Sequence, residues 1–411
     1  MARLLPYVAT AALGLALAGA AFSNALGSVT VRSNPKLSAR QLGASPVTEL
    51  RTLDLTQLPK SSAEDRQAIV ALAEQSLRVQ ALNPLALTAL GLVADNNGHS
   101  AGSLKLLTDA HLASRRVLVT EIWLLEYYVG KDALADVLKQ YDIVLRQSQD
   151  AQRLAFPVLD AALADPAIEQ AFKPYISTAT PWMAEFIGSS AATSPAPNLL
   201  AGTLLRTGTV KTALALKLEL PVLFRRLGET GHVEMVQPLY RAAGVGPASL
   251  LTSVELNAGA GDPAIAPVSW RLAAQSNLRT EMLLGPNSDT IFNLKSSQAT
   301  PQIALDKLLF LSPGRYRFQF DMERVSGDPG AARWLAICVG KSPSRVVAVS
   351  ENTLVDDRVR ALDFDVAPGC AAMQLVFEVT AQGDERDLEI NLGKLRLERL
   401  KSADAMPGHA G

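Results

Sequence analysis

The chain has 411 residues, 48% of them hydrophobic and 19% charged. That length exceeds one ordinary core and predicts two or more domains, and that composition excludes wholesale disorder. With 39 Lys+Arg against 40 Asp+Glu the formal net charge is −1, which removes the electrostatic reason to expect a nucleic-acid partner.

The first residues address the chain. Arg3 is followed by no charge until Arg32. The apolar run from Tyr7 to Phe22 fits a secretory signal, and Ser23-Asn24-Ala25 places small residues for cleavage after Ala25. The rival reading is a retained anchor, because Leu4 to Leu26 is uncharged and a bilayer needs about 20 apolar residues. Both readings make residues 1–27 the sole membrane contact and place the rest facing the periplasm. No Cys lies nearby to take a lipid. Residues 28–60, broken by Pro35, Pro46 and Pro59, read as an extended linker.

From Ser61 to Leu256 the pattern is helical. Ser62 stands three residues before Asp65, as a helix cap does, and Ile69, Leu72, Ala73, Ser76 and Leu77 follow at helical spacing. Leu90, Gly91, Ala94, Leu104, Leu107 and Ala110 then recur 34 residues later as Leu124, Leu125, Tyr128, Leu138, Tyr141 and Val144. This period, with Gly98 at the turn between helices, resembles the tetratricopeptide repeat. Residues 65–176 carry the resemblance in three copies of decreasing quality; the second has Leu125 for the packing glycine and its Gly130 comes early. Residues 221–244 have the same helix-turn-helix flavour, and 177–198, rich in Ser, Thr, Ala and Pro, read as containing a loop. The resemblance implies a concave groove that binds a protein or peptide. By position, Thr88, Leu92, Asp95, Ile122 and Glu126 would line it.

Residues 257–267, "NAGAGDPAIAP", read as a linker, and beyond them the period changes to two. Tyr316, Phe318, Phe320 and Met322 alternate with polar residues after a Pro-Gly turn. Eight to ten such strands over residues 268–400 predict an antiparallel β-sandwich that folds alone from about residue 262, followed by a disordered tail at 401–411. In the last strand Leu388, Ile390 and Leu392 give way to Leu395 and Leu397, a phase change at Gly393 that predicts a bulge. The fold class is therefore α then β: a helical-repeat region followed by a sandwich. The sandwich resembles the jelly-roll carbohydrate-binding modules and galactose-binding-like domains. That resemblance implies aromatic platforms for sugar rings, with Trp270 and Trp334 in the role; the parity of Trp334 with Ala336 and Cys338 also suits a core position. Cys338 and Cys370, the only cysteines, lie in this exported domain and predict a disulfide, the alternative being two buried thiols.

No catalytic fingerprint appears. There is no Gly-x-Ser-x-Gly elbow, Walker loop, His-Glu-x-x-His helix or dinucleotide motif. The four histidines are scattered, and the aspartates at 321, 328, 356 and 357 match no calcium loop, so neither metal nor cofactor is expected. The layout resembles bacterial envelope proteins with an export segment, tetratricopeptide-like repeats and a C-terminal sandwich. It implies a non-catalytic scaffold or adaptor with a protein partner, in exopolysaccharide or cell-envelope assembly. The alternatives are a glycan-binding protein acting through the sandwich and a carbohydrate-active enzyme.

Overall fold

The computed structural model describes residues 46–400 apart from 179, 217, 258, 286–288, 328–329, 341–343, 355–360 and 382–386. The expected export segment, the first part of the expected linker and the expected tail lie outside the described residues. Among the described residues thirteen α-helices precede ten strands, and the chain divides into two compact units at Ala151/Gln152. The division expected at 257–267 is not where these units part.

The described part of the first unit holds α1 (Pro46–Arg51), α2 (Ala63–Val79), α3 (Pro84–Asn96), α4 (Ser100–Ala113), α5 (Leu118–Val129) and α6 (Leu134–Leu145). Helix α2 begins where its cap signal stands: Asp65 N–H donates to Ser62 Oγ at 3.1 Å and Ser62 N–H donates to Asp65 Oδ2 at 3.3 Å. Such a capping box is worth about 1 kcal/mol. Gly91 marks a close approach, since a Cβ there would sit 2.6 Å from Leu107 Cγ on α4. The turn from α3 to α4 is left-handed at Gly98 (φ 78°), and 34 residues on the turn from α5 to α6 is left-handed at Asp132 (φ 53°). The repeat thus keeps its backbone where its glycine is lost, because aspartate tolerates this region better than most residues. Residues 46–60, expected to be extended, instead form α1 and a 3₁₀ turn at Leu55–Lys60. Leu50, Leu55 and Leu58 drive this correction by burying themselves with Ala73, Ala89 and Leu107.

In the second unit, α7 (Gln149–Ala162, which crosses the division), α8 (Pro166–Ser177), α9 (Met183–Thr193), α10 (Pro197–Thr207), α11 (Val210–Ala215), α12 (Leu220–Glu229) and α13 (Val236–Ala243) lead into the sandwich. The Ser/Thr-rich stretch read as containing a loop holds α9, recruited by buried Trp182, Phe186 and Ile187, which pack with Phe156 and Phe172.

The strands are β1 (Arg271–Leu272), β2 (Leu278–Leu284), β3 (Thr290–Ser296), β4 (Gln302–Leu309), β5 (Gly314–Ser326), β6 (Ala331–Val339), β7 (Arg345–Val349), β8 (Ala361–Val366), β9 (Ala372–Thr380) and β10 (Leu388–Arg399). They form two antiparallel five-stranded sheets, ordered β1-β4-β9-β6-β7 and β2-β3-β10-β5-β8. Strand β5 buries Tyr316, Phe318, Phe320 and Met322, as its alternation requires. Strand β10 is bulged against β5: Gly393 pairs with Asp321, but the next pair is Arg396 with Gln319, and Lys394 takes φ 49°. The extra residue returns Leu395 to the core face.

The described residues among 250–267 are built into this domain rather than linking it. Val254 and Ala260 belong to the sandwich core, Phe310 N–H donates to Leu251 O at 2.7 Å, and Asp262 caps a 3₁₀ turn at Pro263–Ile265. Cys338 on β6 is disulfide-bonded to Cys370, with Cα atoms 5.7 Å apart. The bond closes a loop across 32 residues and is worth about 3–4 kcal/mol by chain entropy. Unreduced protein is expected to show no titratable thiol in denaturant and two after reduction; thiol titre before reduction would contradict the bond.

Candidate functional site

In the first unit, two of the five residues assigned to a groove do not face solvent. Thr88 is fully buried, 2.6 Å from the hydroxyl of Thr120 on α5, and also donates to Pro84 O at 2.7 Å. Leu92 is buried in the core. Both fill the seam between α3 and α5: two hydroxyls that satisfy each other let these helices approach, so position in the repeat alone assigned them to the wrong side. Asp95, Ile122 and Glu126 are exposed.

Around these three lies a cluster that the sequence reading did not single out. Trp123 Nε1 donates to Asp95 Oδ2 at 2.9 Å, tying α5 to α3. One turn later the Tyr127 ring stacks on Trp123, with centroids 5.6 Å apart and planes 11° apart. Lys131 Nζ stands 5.7 Å from the Tyr127 centroid, and Tyr128 meets Tyr127 edge-on. Trp123, Tyr127 and Tyr128 are half-buried, while Ile122 and Val129 beside them are exposed. The available signal was the i, i+4 pair Trp123/Tyr127 in "EIWLLEYYVGK".

Behind this face a polar staple joins three helices. Glu121 on α5 is fully buried; it accepts from the Gln140 side chain on α6 and lies 2.8 Å from His111 Nδ1 on α4. Desolvation raises the Glu121 carboxyl above the ordinary range, and the bond to His111 opposes it.

The sandwich corrects the platform expectation. Trp334 is fully buried at the centre of the core, 4.7 Å from the Phe318 centroid and 4.8 Å from that of Phe377. Trp270 is equally buried, and its Nε1 donates to Val254 O at 3.1 Å. Neither ring offers a face to a sugar. Of the nine aromatic residues from 268 to 400, eight are buried and Phe310 is half-buried.

The second unit also has a cleft of ≈ 240 Å³ between α12 and the outer face of the first sheet. Its floor includes Asp306 of β4, 1% exposed, with both carboxylate oxygens engaged. Oδ1 accepts from Arg271 Nε at 2.7 Å and Oδ2 from Gln374 Nε2 at 2.9 Å. Leu308 and Val339 supply apolar floor, and Arg225, Gly228 and Glu229 of α12 form the opposite wall. Among the described residues no group of three or more His, Cys, Asp or Glu could hold a metal ion.

Comparison with known proteins finds no matching family model and no matching curated protein.

Proposed function

We propose that the chain is a non-catalytic, periplasm-facing adaptor that binds a protein partner through its helical repeats, in exopolysaccharide or cell-envelope assembly. The observation that carries the reading is the α5 face: a tryptophan–tyrosine stack anchored by Asp95, flanked by exposed Ile122 and Val129. Half-buried Trp and Tyr beside apolar residues make the composition of an interface hot spot, because they bring large rigid area at small entropic cost. The tetratricopeptide resemblance supports the same helices as the binding part. The envelope setting rests on the resemblance of the layout. The Cys338–Cys370 bond supports an oxidising compartment, where disulfides persist. Sugar binding on aromatic faces, the alternative use of the sandwich, finds no exposed ring among the described residues of that domain.

The test is capture from solubilised membranes with the wild-type chain, Trp123→Ala and Ile122→Asp. The wild type is expected to retain a partner that both variants lose, with unchanged helical circular dichroism and an active alkaline phosphatase fusion after Asn34. Retention of the same partner by both variants would refute the α5 face, and an inactive fusion would refute the exported location.

A further inference from the structure

The cleft beside α12 lies in the other unit from the α5 face. Burying a carboxylate is costly unless its oxygens are bonded, and Asp306 meets that condition with Arg271 and Gln374. The consequence falls on Arg271. Its guanidinium is held by the Nε edge, while its two terminal nitrogens bond no other protein group among the described residues. A held guanidinium has less conformational freedom to lose when it binds an anion. On the opposite wall Arg225, 51% exposed, meets Glu229 only at 3.9 Å, and Glu229 is shared with Arg226 at 3.1 Å.

Gly228 adds an independent observation. A glycine inside a helix costs about 1 kcal/mol relative to alanine. Here packing does not require it, since a Cβ at Gly228 would meet nothing within 4 Å. Nor does the helix end require it, because the left-handed position is taken by Gly231 (φ 78°). The glycine leaves the cleft wall without a side chain.

We propose that this cleft binds a sugar acid of hexuronate size. Two arginines recognise a carboxylate through paired N–H bonds. The formal charges of Arg225, Arg271, Glu229 and Asp306 cancel, which suits one negative charge better than the two of a phosphate. Glu229 and Gln374 Oε1 are acceptors and Ser344 a donor for ligand hydroxyls. At ≈ 240 Å³ the cleft lies below the usual range of about 300–1,000 Å³ for drug-sized ligands, so a single sugar unit fits it better than a chain.

The experiment is calorimetric titration of the whole chain with glucuronate and galacturonate, against glucose and inorganic phosphate. Saturable binding of at least one hexuronate is expected, at least about tenfold tighter than glucose or phosphate. Arg225→Gln, at an exposed site, and Gly228→Leu, which places a side chain in the opening, are each expected to weaken it about tenfold or more, with thermal unfolding unchanged in the first and unchanged or raised in the second. Absence of hexuronate binding, equal binding of glucose or phosphate, or undiminished binding by either variant would overturn the proposal.

Discussion

Lys307→Met is expected to stabilise the chain by about 3 kcal/mol at pH 7 and below, and to flatten its stability between pH 7 and 10.5. Lys307 is on β4, 1% exposed, with its ammonium against Val268 O and 6.0 Å from the Trp270 ring centroid. Among the described residues it forms no ion pair, and burial pushes it from 10.5 down to about 7. The unfolded chain therefore binds a proton that the folded chain releases between these values, and stability rises with pH across that window. The penalty is absent above 10.5 and complete below about 7, where it approaches about 5 kcal/mol. Methionine fills similar volume without a charge, but it leaves Val268 O without its donor, at a cost of about 1–2 kcal/mol that sets the smaller net gain. Urea unfolding of both proteins from pH 6 to 10.5 would check this. Equal pH slopes would mean that Lys307 is not the titrating group.

The sandwich was legible because its strands are half-buried and therefore alternate. The Leu392-to-Leu395 phase change gave away the bulge, and the parity of Trp334 with Ala336 gave away its burial. The same alternation in β4 puts the charge of Lys307 in phase with buried Leu305 and Leu309. Local pattern does not reveal which helical surface is free. Thr88 looked like a groove residue until its hydroxyl met Thr120 across two helices. The cleft was illegible for a stronger reason: Arg225, Arg271, Asp306 and Gln374 come from four elements far apart in sequence, and only the fold of the second unit brings them together. Composition misled at 257–267, where small residues and prolines suggest a linker. Small residues also allow close packing, and Ala260, 1% exposed, accepts the Trp270 backbone N–H.

That last point changes the expected behaviour of fragments. A fragment starting at residue 262 is expected to be several kcal/mol less stable than one starting at 152, both ending at 400. The shorter one deletes Val254 from the core, and burying such a side chain is worth about 1.5–3 kcal/mol. It also removes Val254 O, the acceptor of buried Trp270 Nε1, and Leu251 O, the acceptor of Phe310 N–H. An orphaned buried donor costs about 1–3 kcal/mol. On the outer face it strips α12 from Leu308 and Pro267. Against the roughly 5–15 kcal/mol that holds a domain together, these losses leave little margin. The longer fragment keeps every one of these contacts, since all lie within the second unit. Near-ultraviolet circular dichroism of the shorter fragment, whose tryptophans are Trp270 and Trp334, reports their packing, and urea titration of both fragments reports the free energy. The longer fragment should show a sharp transition with a native aromatic spectrum, and the shorter one a weakened spectrum and an early midpoint. Equal midpoints, with a strong aromatic spectrum from the shorter fragment, would return the domain boundary to residues 257–267 and make Val254 a passenger on a core that does not need it.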